Sequence, residues 1–338
     1  MAGKEVSWLL VGLGAIAGKR VASALSDAAA ARLVGVCDVV PERVEEFADE
    51  YGVAETYTDL DRALRQTSAE AVYLATPVSL HSSMAVQVLE SGRHVLVEKP
   101  LGLSAHDAKL AVQAAKSKRL RAGCAYYRRC FPCFQHAKNM LDNGEFGQIV
   151  LVRLTYFSWS NPSPEDPQAY WRVVKARSGG GPVADMGSHM FDVLIGLLGT
   201  PTRVCARIKT LVHAYEVEDS AVAFMELQNG ADVICSFHWN SRTWSHEFEI
   251  IGTEAKVKWH PYDSGKVIKT VGRDICELEL ANAPNVHQPL IEDFVQAVTD
   301  DRDPVVPLRE ALKTNTVIDA VYESANSGAE VTIPQEGY

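Results

Sequence analysis

Along its first third the chain alternates short, unbroken apolar runs with longer stretches in which apolar residues recur at helical spacing. The runs Val6–Val11, Leu33–Cys37, Ala71–Ala75, His94–Val97 and Leu120–Cys124 have the continuous hydrophobicity of strands buried on both faces. Between them, Ile16–Ala28, Pro41–Tyr51, Leu80–Ser91 and Ser104–Lys116 predict amphipathic helices. Strand–helix alternation joins parallel strands through right-handed crossovers, so residues 1–123 predict a doubly wound α/β domain.

Beyond Tyr126 the pattern changes. A helix over Phe131–Asn143 meets the stop signal Asn143-Gly144, and a strand follows at Ile149–Tyr156. A polar, Pro-rich loop spans Asn161–Pro167, and Gly179-Gly180-Gly181 precedes a helix over Val183–Leu198. Arg203–His213, Ser220–Leu227, Asp232–His238, Glu247–Ile251 and Ala255–Trp259 then succeed one another with turn signals such as Asn229-Gly230. Consecutive strands of this kind predict an antiparallel or mixed sheet. Helices near Leu290–Thr299 and Leu308–Ser324 close the chain, so residues 124–338 read as a second, α+β domain.

Composition narrows the function classes. A length of 338 residues suits two domains, and 47% hydrophobic residues suffice for a sizeable core. A net charge of −10 argues against a sequence-independent grip on nucleic acid or an anionic membrane. It leaves room for an anionic cofactor, because one helix N-terminus binds a phosphate locally. No stretch approaches the roughly 20 apolar residues of a membrane span. Gly12 and Gly14 interrupt the apolar run Val6–Ala17, and Gly18-Lys19-Arg20 follows without a small-residue cleavage site, which argues against a secretory leader. Seven scattered cysteines suit a reducing compartment, so the cytoplasm is expected. Cys130 and Cys133 form a CxxC with no second pair or nearby histidine, and read as ordinary thiols rather than a zinc site.

Chemistry concentrates at the predicted strand ends. Gly12-Leu13-Gly14-Ala15-Ile16-Ala17 lies between the first strand and first helix. The first glycine permits the tight turn, the second lets a pyrophosphate approach, and small Ala17 allows close helix–strand packing. Asp38 ends the second strand, where an acid accepts from ribose hydroxyls and repels a 2′-phosphate, favouring NAD over NADP. A strand-end turn residue is the plainer reading of Asp38, and Arg43 nearby suits stacking on adenine or reaching a phosphate, so NADP stays open. Thr76, Pro77 and His81 follow one strand end and Glu98-Lys99-Pro100 another. Lys99 there points into the crevice as a proton partner for a substrate oxygen, or is a surface lysine before a turn. Asp185 and His189 stand at i and i+4, with Asp192 three residues on. A carboxylate beside an imidazole suits a general base, though a satisfied Asp–His pair at a helix start fits the same spacing. The three supply too few ligands for a metal site, and none is expected.

Taken in this order, the GxGxxA turn, Asp38, Ala75-Thr76-Pro77…His81, Glu98-Lys99-Pro100 and Gly179-Gly180-Gly181…Asp185-x-Gly187-x-His189-x-x-Asp192 resemble the Gfo/Idh/MocA oxidoreductases along essentially the whole chain. Ala125-Tyr126-Tyr127-Arg128-Arg129…Pro132 resembles a segment of one branch, with Cys130 where an aromatic is more usual. The resemblance implies a Rossmann domain followed by a domain with a large, mostly antiparallel sheet, open on one face, through which members pair as homodimers or homotetramers. It implies a cis Lys99–Pro100 bond, catalysis by Lys99, Asp185 and His189, and a sugar, cyclitol or related polyol or ketose as substrate. The cofactor, NAD by preference, is expected against Gly12, Gly14, Ala15, Ile16, Asp38, Arg43, Thr76, Pro77, His81, Glu98 and Lys99. Tyr126, Arg128, Trp171 and Arg172 join Asp185 and His189 as candidate substrate contacts, with core packing and ion pairing as the plainer readings of the first four. Two rival readings keep the same fold: an NAD-dependent glycoside hydrolase working through transient oxidation, and a non-catalytic NAD-binding sensor.

Overall fold

The computed structural model describes residues 5–335. They form two units, one built from residues up to Tyr127 together with Ala283–Leu312, the other from Arg128–Asn282 and the residues from Lys313 onward. The expected single division at 123/124 therefore gives way to one in which a C-terminal segment returns to the first unit.

The first unit carries strands β1 (Val6–Val11), β2 (Ala31–Cys37), β3 (Glu55–Tyr57), β4 (Ala71–Leu74), β5 (His94–Val97) and β6 (Ala122–Cys124). All pair in parallel, in the order β3-β2-β1-β4-β5-β6. This is the expected doubly wound sheet with one addition: β3 is three residues long, too short to show as an apolar run. Chain order reverses between β1 and β4, so the loops leaving them diverge and open a crevice at the strands' carboxyl ends. The crossover helices start at side-chain caps where the sequence supplies them. Asp59 accepts from the Arg62 N–H and Ser104 from the Asp107 N–H, each worth about 1 kcal/mol.

The returning segment is held by packing. Phe294, on helix Gln288–Thr299, lies 5.3 Å from the Trp8 ring of β1, and both side chains are fully buried. Burial of side chains this large contributes about 1.5–3 kcal/mol each. Leu308 and Leu312 join the core formed by β1, β4, β5 and their helices.

The second unit is organised around a nine-stranded sheet: β7 (Ile149–Trp159), β8 (Arg203–Lys209), β9 (Ser220–Glu226), β10 (Asp232–His238), β11 (Asn240–Gly252), β12 (Ala255–Trp259), β13 (Lys266–Val271), β14 (Asp274–Glu279) and β15 (Val331–Thr332). Their order is β14-β13-β12-β11-β7-β10-β9-β8-β15. Every adjacent pair is antiparallel except β7 and β10. Val204, Ala223, Val233, Leu154, Phe248 and Val257 are buried on one face, while Val222, Phe224 and Ile275 on the other are exposed. The expected strand Arg203–His213 ends at Lys209. Beyond it the Asp219 carboxylate accepts the N–H groups of Leu211, Val212 and His213 at 2.7–2.8 Å, which removes them from any ladder.

Candidate active site

Gly12 follows β1 with φ at +88°, and a Cβ there would lie 2.8 Å from the backbone of Ala75 and Thr76 beyond β4. Only glycine fits that approach. A Cβ on Gly14 would meet nothing within 4 Å, so the mouth of the turn is open. Gly14, Ala15 and Ile16 lead into the first helix and are half-buried, while Ala17 is fully buried. This helix winds as a π-helix over Ala17–Val21, a deviation that recurs at functional sites. Thr76 turns a buried hydroxyl with no hydrogen-bond partner toward the same loops, and Pro77 caps the following helix Val78–Glu90. A glycine turn that excludes Cβ, an open helix start and a polar atom awaiting a partner fit a dinucleotide.

Asp38 sits where expected and also shapes the turn. Its carboxylate accepts the Leu13 N–H at 2.7 Å and the Val40 N–H at 2.9 Å, and Arg43 approaches to 3.8 Å. One residue thus ties the glycine turn to the end of β2. Hydrogen bonds to a charged group are worth about 1.5–3 kcal/mol, so Asp38→Ala is expected to weaken NAD binding by about tenfold or more. Titration with NAD⁺ and NADP⁺ checks this, with the loss falling mainly on NAD⁺.

Other expected cofactor contacts are occupied within the protein. His81 is buried with both ring nitrogens on carbonyls, Nδ1 at 2.7 Å from Pro100 and Nε2 at 2.8 Å from Thr76. Burial lowers its pKa against those two contacts. It braces the two loops instead of facing a ligand, which corrects its place among direct contacts. Glu98 is likewise buried in an internal network, and the Lys99–Pro100 bond is cis.

In the second unit, Asp185 lies on a π-helical turn, Val183–Gly187, that runs into helix Ser188–Leu198 bearing His189. The preceding glycines admit close neighbours. A Cβ on Gly180 would stand 1.8 Å from the Tyr322 hydroxyl, and one on Gly181 would stand 2.0 Å from the Glu218 carbonyl oxygen. The Glu218 side chain accepts the Val183 N–H at 3.2 Å and the Tyr322 hydroxyl at 2.9 Å. Burial raises its carboxyl pKa. His189 is buried, and its backbone carbonyl accepts the Tyr262 hydroxyl at 3.3 Å.

Arg128 and Tyr126 depart from their expected substrate contacts. Tyr126 is fully buried in the core of the first unit. Arg128 is buried in the second unit, forked onto Asp263 at 2.6 and 2.7 Å and stacked 5.2 Å over Tyr262. Its guanidinium therefore supports the residue that holds His189. Asp192 is claimed by Arg129 through contacts of 2.9–3.1 Å and belongs to the frame, not to a ligand set. Trp171 and Arg172 stack on each other at 4.9 Å and remain half-buried. Burial pushes the Cys133 thiol up to about 12, which keeps it protonated and unreactive at neutral pH. Among the described residues, no group of three or more His, Cys, Asp or Glu side chains is placed to hold a metal.

Sequence reasoning passed over His246, which packs 5.0 Å from Tyr156 and 4.8 Å from Tyr262. Burial lowers its pKa from 6.5 to about 4, with Asp263 opposing and Arg128 assisting. A base depressed on folding contributes stability fully above pH 6.5 that is lost as pH falls toward 4, on the order of 3 kcal/mol. His246→Phe is expected to flatten that loss, as read from urea midpoints at pH 7 and 4.5.

The chain matches the NAD-binding Rossmann fold of the GFO/IDH/MocA oxidoreductase family over residues 6–126 and that family's C-terminal domain over residues 134–258. It is 26% identical to oxidoreductase P35 of Formosa agariphila, over 86% of this chain and 90% of the relative. It is 28% identical to the scyllo-inositol 2-dehydrogenase (NAD(+)) of Bacillus subtilis, over 75% and 73%. Among solved structures it resembles the WlbA dehydrogenase of Bordetella pertussis in complex with NADH and UDP-GlcNAcA, with a TM-score of 0.86, 25% identity, and coverage of 99% and 100%. The glycine turn, the strand-end acid, the lysine after β5 and the Asp185–His189 helix are thus the marks of a member of the Gfo/Idh/MocA family of NAD-binding oxidoreductases.

Proposed function

We propose that this oxidoreductase moves a hydride reversibly between the carbinol carbon of a sugar, cyclitol or related polyol and NAD. The observation that carries the reading is the crevice beyond β1 and β4, where Gly12 admits no side chain and Asp38 presents its carboxylate. When bound, NAD supplies the hydride acceptor at nicotinamide C4. The chain's own residues handle position and protons. His189 takes the hydroxyl proton during oxidation and returns it during reduction. Lys99 donates to the reacting oxygen and offsets its growing negative charge. Asp185 orients the hydroxyl or the imidazole. Polyol substrates are supported by the names of the inositol dehydrogenase and its relatives. A panel of sugars, cyclitols and keto-sugars, followed at 340 nm with NAD⁺ or NADH, is expected to reveal turnover with one class. Tightly held NAD with glycoside cleavage and no net absorbance change would favour the hydrolase reading instead.

Two copies pair through the open sheet face in this reading. Phe224 is 56% exposed on that face with exposed Val222 two residues before it, an apolar contact point beside the Arg153–Glu249 and Lys256–Glu249 pairs. Phe224→Arg is expected to shift the mass measured by light scattering to that of a single chain. Among the described residues no helix is long and apolar enough to cross a membrane. All seven cysteines are free thiols, which supports the cytoplasm as its compartment.

A further inference from the structure

The first unit holds a buried polar network whose most distant member comes from the returning segment. The Glu98 carboxylate accepts the Tyr73 hydroxyl at 2.9 Å and His287 Nε2 at 3.2 Å on one oxygen, and the Lys99 N–H at 3.2 Å on the other. Tyr73, Glu98 and His287 are each less than one-tenth exposed. Burial alone would raise the Glu98 carboxyl, but His287, Lys99 and Tyr73 together hold it below its ordinary value. An ionised carboxylate only accepts, so the His287 tautomer that satisfies it carries its proton on Nε2.

His287 is itself fixed from several sides. Its ring packs 4.7 Å from Tyr127, and its backbone N–H donates to the Asn285 side chain at 3.1 Å. Asn285 in turn donates to the Arg20 carbonyl at 2.8 Å and to Ser23 Oγ at 3.1 Å on the first helix. The segment therefore links the helix that follows the glycine turn to the carboxylate beside Lys99. A side chain meant only to fill space would need no donor aimed at a buried anion.

We infer that His287 is a positioning residue for Lys99, acting through Glu98: with Tyr73 it fixes the carboxylate that holds the Lys99 backbone. The inference deepens the proposed reaction and rests on its reading of Lys99. Removing the donor frees that carboxylate to turn onto the Lys99 ammonium, which shields the amine from reagent and slows its labelling.

The test needs no substrate. Reductive methylation with formaldehyde and cyanoborohydride at pH 8, quantified by mass spectrometry, measures the reactivity of Lys99 against the exposed Lys118. His287→Phe keeps a ring against Tyr127 but loses the donor, and is expected to lower Lys99 labelling by about threefold or more. His287→Gln keeps a donor and is expected to restore the wild-type rate. If His287→Phe fails to fold, Tyr73→Phe removes the other donor to the same oxygen, with a fall of similar size expected. Unchanged Lys99 labelling in a folded donor-deleted variant, or an equal fall in His287→Gln, overturns the inference. Lys99→Ala with undiminished turnover would instead overturn the catalytic reading of Lys99 and leave the labelling result standing.

Discussion

His189→Ala is expected to lower turnover by about 10²–10⁴-fold while leaving NAD affinity and melting temperature near those of the wild type. The size follows from the proposed role: a positioned general base is replaced by water or nothing, and proton transfer loses its partner in the transition state. The Tyr262 hydroxyl bonds the backbone carbonyl at position 189, a tie that the substitution leaves in place. Parallel NADH titrations separate a failure of chemistry from a failure of binding. Turnover near wild type in this variant would remove His189 from proton transfer.

Gly181→Ala carries the second largest expected effect, this time on stability. The new methyl group would stand 2.0 Å from a backbone carbonyl at Glu218, and a backbone atom has no rotamer through which to retreat. The Glu218 side chain is also tied to Val183 and Tyr322, so displacement of its backbone disturbs the start of the helix that bears Asp185 and His189. A cost of about 3 kcal/mol, at the upper end of overpacking, is expected as a lowered urea midpoint and reduced turnover. Ala at Gly14, where nothing lies within 4 Å, is the control for the mere addition of a methyl group and is expected to leave the midpoint unchanged.

Much of the first unit was legible because its strands are buried on both faces, and the runs Val6–Val11 and His94–Val97 coincide with β1 and β5. The cofactor turn was legible because close backbone approach leaves glycine as its mark. Edge strands were not. The hairpin of β13 and β14 reads Lys-Val-Ile-Lys-Thr-Val and Asp-Ile-Cys-Glu-Leu-Glu, and most of β14 is exposed, so its apolar signal is weak. The long strand from Arg203 was overextended because apolar Leu211 and Val212 continue its pattern, while the carboxylate that ends it lies at Asp219.

The motifs mark stretches of chain, while the contacts within the fold come from positions far apart. Arg128 and Asp263 are 135 positions apart, and Glu98 and His287 are 189 apart. No local spacing announces such partners. Ion pairing, the plainer reading of Arg128, finds its partner in Asp263, and the fork makes it part of the frame beneath His189. The return of Ala283–Leu312 to the first unit was hidden for the same reason, since Phe294 shows only as one apolar position on an ordinary amphipathic helix.

The central claim is net hydride transfer between a carbinol carbon and the nicotinamide ring, and an isotope balance tests it most directly. NADH carrying deuterium at the transferable C4 position would be incubated with the ketose that turns over in the 340 nm panel. The account predicts one deuterium in the carbinol of the product for each NADH consumed, with transfer lost in Lys99→Ala and His189→Ala. Product formed without deuterium, or without consumption of NADH, would contradict it.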